Sequence, residues 1–160
     1  MRELRVRAAL TPTRLRSIGI AVVVVVADQM TKWWARTALD DGPIDVIPGV
    51  LRFRLTENPG SAFSLFQNAG VFLGLGALVA AILILVTVQQ ASRIDEMAGM
   101  SLILGGAVGN LVDRVIRADG FLDGAVIDFV DLTRWPTFNV ADSAITVGAG
   151  LLLWAAIRTK

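Results

Sequence analysis

The chain reads as an all-α polytopic membrane protein: four transmembrane helices, a small extracytoplasmic β-hairpin or cradle, and a second extracytoplasmic loop. Three observations predict it. Of 160 residues, 54% are hydrophobic and 18% charged, with a mean hydropathy of +0.64; four helices of about 20 residues, the length that crosses a bilayer core, use roughly half of such a chain. Uncharged apolar stretches recur at Val71–Val88, Met97–Val112 and Ser143–Ile157. The lysines and arginines are distributed unevenly about those stretches, as a fixed orientation requires. One integral-membrane domain is expected over residues 1–160, with spans near 17–39, 70–89, 97–114 and 138–157 and outer segments at 40–68 and 115–137.

The first span, Ser17 to Leu39, opens on the β-branched run Val22–Val26, after which Asp28, Lys32 and Arg36 follow at helical spacing. Arginines ahead of a short apolar core also describe a secretory signal peptide, but here further membrane spans follow rather than a secreted domain. With four spans, both termini share one side with the Gln89–Glu96 loop. That side carries eight cations against three acids, a net +5, while the opposite side carries seven against eleven, a net −4. The five arginines that precede the first span (Arg2, Arg5, Arg7, Arg14 and Arg16) dominate, so the termini are expected to be cytoplasmic.

In the first outer segment Leu51, Phe53 and Leu55 alternate with Arg52, Arg54 and Thr56, the pattern of a strand with one apolar and one basic face. Pro48-Gly49 is a turn signal, so Asp45 to Thr56 reads as a small hairpin, either solvated or resting on lipid headgroups. In the third span Gly105-xxx-Gly109 and Gly106-xxx-Asn110 prepare close helix contact in lipid. If Asn139 caps the fourth span, Asp142 falls at its third position, where a carboxylate suits the helix dipole.

Chemistry is narrowed by what is absent. The chain has no His, Cys or Tyr, which excludes Ser-His-Asp and Cys-His nucleophiles, His- or thiolate-ligated zinc, and disulfides. A formal net charge of +1 does not suggest nucleic acid. Ionisable groups at membrane depth each demand a partner or a task. Asp28 and Lys32 form an i, i+4 pair, and Asn110, Asp113 and Arg114 lie on one face at the outer end of the third span. Asp113, Asp119, Asp123, Asp128, Asp131 and Asp142 gather on the same side of the membrane, with Asp128 in the apolar setting Val126-Ile127-Asp128-Phe129-Val130. Two carboxylates brought together form a catalytic device, since one keeps a proton while the other activates water.

The blocks Asp28-Gln29-Met30-Thr31-Lys32, Asn58-Pro59-Gly60-Ser61-Ala62-Phe63, Gly105 to Arg114, Val126-Ile127-Asp128-Phe129 and Phe138-Asn139-Val140-Ala141-Asp142-Ser143 occur in order over Asp28 to Ile145. Together they resemble the bacterial lipoprotein signal peptidases, or signal peptidase II. The resemblance implies an inner-membrane aspartic endopeptidase that removes the signal peptide from diacylglyceryl-modified prolipoproteins, cutting before the lipidated cysteine. It implies Asp128 and Asp142 as the catalytic pair. It also implies a substrate-binding or supporting shell of Asn58, Gly60, Asn110, Asp113, Arg114 and Asn139, with Asp28 and Lys32 supporting from the first helix. The hairpin corresponds to the family's β-cradle. Lipid-modified signal peptides and membrane lipids are the implied partners; no metal, cofactor or nucleic acid is expected, and a monomer is presumed. Asp113 and Asp131 remain competitors for the first catalytic position, because the Arg117–Gly124 segment is long and the Asp128–Asp142 interval short. The alternatives are a Ser/Lys peptidase using Lys32 with Ser61 or Ser64, and a small transporter or proton-relay subunit.

Overall fold

The computed structural model describes residues 11–60, 69–118 and 120–158. Arg2, Arg5, Arg7, Ser61, Ser64, Asp119 and Lys160, weighed in the sequence, lie outside it. Four helices are long and apolar enough to cross a bilayer. Helix α1 (Pro12–Ala38) begins five residues earlier than expected, because Thr11 accepts the Arg14 N–H at 3.2 Å and Pro12 occupies the first turn, where its missing N–H costs nothing. Helix α2 (Ala69–Thr87) runs into a 3-10 turn at Val88–Gln90, and α3 (Ile94–Ile116) carries Asp95 and Glu96 in its first turn, as the helix dipole favours. Helix α4 (Val140–Arg158) starts after Asn139. The outward faces expose Val23, Leu83 and Leu153, apolar surface that suits lipid.

Helix α3 is the hub, packed against α1, α2 and α4. Gly105 and Gly106, adjacent in sequence, serve different neighbours. A Cβ on Gly105 would meet Val24 Cβ at 2.6 Å and Ala21 O at 2.9 Å on α1, whereas one on Gly106 would run into Ala141 O and Ile145 Cγ1 on α4. Farther in, Ser101 Oγ donates to Ser17 Oγ at 2.8 Å, a buried polar clasp between α3 and α1.

Outside the helices lies a three-stranded antiparallel sheet in the order β1 (Ile44–Ile47), β2 (Leu51–Asn58), β3 (Val126–Leu132). The expected hairpin is present, turning at Gly49 with a φ of 75°. The third strand lies in the segment expected as a loop: Val126–Leu132 lacks alternation because it is buried on both faces, and becomes a strand by pairing with β2. Between Phe53 and Thr56 the β2–β3 register slips by one residue. That bulge inverts the alternation, so Thr56 and Asn58 turn inward where continued alternation would have exposed them. Trp34 meets Phe53 edge-on at 5.3 Å and Phe129 at 6.1 Å, which seats the sheet on the outer end of α1.

Gly106→Val should lower the thermal midpoint in detergent, at a cost of about 1–3 kcal/mol or more, because α3 and α4 must separate. Gly19→Ala, whose new methyl meets nothing within 4 Å, should leave it unchanged or slightly raised. Equal midpoints for the two variants would contradict the packing described.

Candidate active site

Asp128 lies mid-strand in β3 and is 2% exposed. Asn58, at the end of β2, reaches it across the bulged ladder, donating from Nδ2 to Asp128 Oδ2 at 3.0 Å. The direction of that amide is fixed from behind, since the Gly60 N–H donates to Asn58 Oδ1 at 2.9 Å. Gly60 does so with a φ of 92°, a conformation that disfavours a side chain.

The second carboxylate comes from the start of α4. Asn139 Oδ1 accepts the Asp142 N–H at 2.8 Å, and Asp142 Oδ2 accepts the Asn139 N–H at 3.2 Å, a reciprocal cap of the kind expected from the spacing. With its oxygen engaged by the cap, Asn139 presents Nδ2 to Asp128 Oδ1 at 2.7 Å, and to Ile127 O at 3.2 Å. One side chain thus holds both aspartates. The approach to α4 is pinned too, as Phe138 O accepts the Phe129 and Val130 N–H groups at 3.1 and 2.9 Å. Asn110 completes the connection, donating to Asp142 Oδ1 at 2.8 Å and accepting from Asn139 Nδ2 at 3.1 Å.

Beneath this layer sits a buried ionic cluster. Lys32 contacts Asp28 Oδ2 at 2.7 Å, Asp113 Oδ2 at 2.8 Å and Asn110 Oδ1 at 3.0 Å. Asp28 Oδ1 accepts the Ala141 N–H at 2.9 Å, and Asp113 Oδ2 accepts the Ile127 N–H at 3.2 Å. Gln29, quoted in a motif but not singled out as a site residue, donates to Asp28 Oδ2 at 3.2 Å and Gly109 O at 3.1 Å. Its signal was adjacency to a buried acid. Gly70 and Gly74 on α2 were also missed; a Cβ on Gly70 would come within 3.2 Å of Arg114 Nη1.

Asn58, Asn110, Arg114, Asp128 and Asp142 line one cavity of about 450 Å³, whose remaining walls include Phe72, Leu73, Ala77, Ile103 and Ile145. Asp142 also borders an apolar groove of about 400 Å³ between α4 and the end of the sheet, along Leu132, Trp135, Phe138 and Val147. Asp113 and Asp131 are not on the cavity wall. Asp131 accepts from Arg52 Nε at 2.8 Å and Arg54 Nε at 2.9 Å, and these bonds, that of Arg52 foremost, hold its carboxyl below the usual range. Lys32 is enclosed among its three acceptors, a setting at odds with a free amine serving as base to a serine. Burial pushes the Asp128 carboxyl up to about 6; the Asn58 hydrogen bond opposes the rise and the charge of Asp142 adds to it.

Residues 20–158 match the family model described as signal peptidase (SPase) II. The chain is 42% identical over 156 residues to the lipoprotein signal peptidase of Polynucleobacter necessarius subsp. necessarius, covering 90% of both chains. It is 43% identical over 142 residues to that of Rhodococcus jostii, covering 88% of this chain and 71% of the relative. A bacterial membrane enzyme solved by the in meso method at 1.9 Å resolution superposes with a TM-score of 0.79 at 30% identity, over 91% of this chain and 94% of the other.

In protein labelled with 13C-aspartate, the infrared carboxyl band lost in Asp128→Asn should titrate with a midpoint near 6, above the ordinary value of about 3.9. Asn58 donates to the charged form, so Asn58→Leu should move that midpoint higher; a fall would contradict the assignment.

Proposed function

The chain belongs to the signal peptidase II family, and from that premise we propose that it is an intramembrane aspartic endopeptidase. It removes the signal peptide from diacylglyceryl-modified prolipoproteins, cutting before the lipidated cysteine, at the outer face of the bacterial inner membrane. Asp128 and Asp142 are its catalytic pair. The observation that carries this reading is the placing of both carboxylates at the polar end of an otherwise apolar cavity, joined through Asn139 and Asn110.

The environments divide the roles. Asp128, more deeply buried and raised to about 6, is the carboxyl that holds the shared proton. Asp142, half-buried and bordering both cavity and groove, takes a proton from water as its oxygen attacks the scissile carbonyl carbon. Asp128 gives its proton to the carbonyl oxygen. In the resulting gem-diol, Asp142 passes its proton to the leaving nitrogen as the C–N bond breaks, and Asp128 recovers a proton from a hydroxyl as the new carboxyl forms. Arg114, on the cavity wall, offers a cation and N–H donors to peptide carbonyls.

The membrane setting follows from the substrate. Drawing a diacylglyceryl group into water costs about 0.8 kcal/mol per CH₂, so cleavage at headgroup depth leaves the chains in lipid. Two apolar channels that meet at Asp142 suit a substrate with both a lipid and a hydrophobic peptide arm.

Asp128→Asn and Asp142→Asn should each lower the rate of cleavage of a lipidated precursor by about 10⁴-fold or more, the scale for losing one member of a cooperating catalytic group. Both should remain folded by thermal unfolding. Wild-type cleavage by either folded variant would remove that residue from the mechanism.

A further inference from the structure

We propose that Lys32 is a positioning residue for Asp142 and acts through the amide of Asn110. This rests on the two-aspartate reading and adds to it a role for an ion pair that lies behind the site. A primary amide accepts at one end and donates at the other, with nearly the same shape either way round, so its neighbours decide which end faces where. An ammonium group can only donate. Lys32 meets three acceptors for its three hydrogens, Asp28 Oδ2 at 2.7 Å, Asp113 Oδ2 at 2.8 Å and Asn110 Oδ1 at 3.0 Å. The oxygen of Asn110 must therefore face Lys32, and its NH₂ must face Asp142 Oδ1, 2.8 Å away. Reversed, the amide would set oxygen against a carboxylate on one side and NH₂ against an ammonium on the other.

Asn139 cannot supply this orientation alone. Its Nδ2 has two hydrogens and three acceptors within reach, Asp128 Oδ1, Ile127 O and Asn110 Oδ1, and the last two are the longer contacts. Lys32 is the undivided donor. A second arm of the same ion pair reaches the backbone: Asp28 holds Lys32 with one oxygen and the Ala141 N–H with the other, at 2.9 Å, one residue before Asp142. Side chain and main chain of the α4 start are thus located from one pair on α1.

The test is steady-state cleavage of a lipidated precursor by the full-length enzyme in lipid. Lys32→Met should lower kcat by about 100-fold, the cost of misplacing a reacting group by about 1 Å, with KM within about twofold. Lys32→Gln restores an N–H donor and should recover at least about tenfold of that kcat loss. Placing Lys32→Met on Asn110→Leu should cost far less than the product of the two separate losses, since both act through one amide and only the Asp28–Ala141 arm is left to disturb. The proposal is overturned if the two losses multiply, if Gln is no better than Met, or if KM rises while kcat holds. If Lys32→Met is not recovered folded, Lys32→Gln takes its place in the cycle with the same criterion, and wild-type kcat in Asn110→Leu overturns the proposal by itself. Full activity in Asp142→Asn would instead sink the two-aspartate reading; an inactive Asp142→Asn beside multiplying losses sinks only the role of Lys32.

Discussion

An ammonium group enclosed in a helical bundle that faces lipid persists only where acceptors meet its hydrogens, because no water is at hand to replace a missing one. Lys32 satisfies that condition with residues from two helices, Asp28 on its own α1 and Asp113 and Asn110 on α3. The two acids carry the constraint outward. Asp28 takes the N–H of Ala141 at the start of α4, and Asp113 takes the N–H of Ile127 beside Asp128. Removing Lys32 would leave the Asp28 and Asp113 carboxylates buried without the cation they share, at a cost of several kcal/mol. Helices α1, α3 and α4 and the strand β3 therefore meet in one arrangement at the end of the bundle where Asp128 and Asp142 lie.

Above this ionic base the polar groups change from charged to neutral. Asn58, Asn110 and Asn139 each have their oxygen held by a donor, the Gly60 N–H, the Lys32 ammonium and the Asp142 N–H respectively, and each turns its NH₂ toward an aspartate. Such amides stabilise a carboxylate without neutralising it. Glycines make the arrangement sterically possible. Gly109 leaves room for Asp28 Oδ2, which would lie 2.8 Å from a Cβ there, and Gly70 leaves room for Arg114.

Much of this was legible in the chain. The spans followed from hydropathy, the reciprocal cap of Asn139 and Asp142 from their spacing, and the Asp28–Lys32 pair from its i, i+4 separation. Other features depend on partners remote in sequence. Val126–Leu132 carries no strand alternation, and only pairing with β2 makes it one. The slip between Phe53 and Thr56 leaves no mark on the alternation of residue types from Leu51 to Thr56, yet it brings Asn58 inward to Asp128. Lys32 and Asn110 are 78 residues apart, and nothing local announces their contact. Asp113 and Asp131 compete with Asp128 in the sequence because the Arg117–Gly124 segment is long and the Asp128–Asp142 interval short; in three dimensions Asp113 pairs with Lys32, and Asp131 with Arg52 and Arg54.

The central claim is that Asp128 and Asp142 act on one reacting centre. It is tested most directly by a crystal structure of the protein with a peptide whose scissile carbonyl is replaced by a secondary alcohol, mimicking the tetrahedral intermediate. The account predicts the hydroxyl within about 2.5–3.0 Å of a carboxylate oxygen from each aspartate. A hydroxyl that touches only one of them, with the other still committed to its asparagine partners and out of reach, would contradict it.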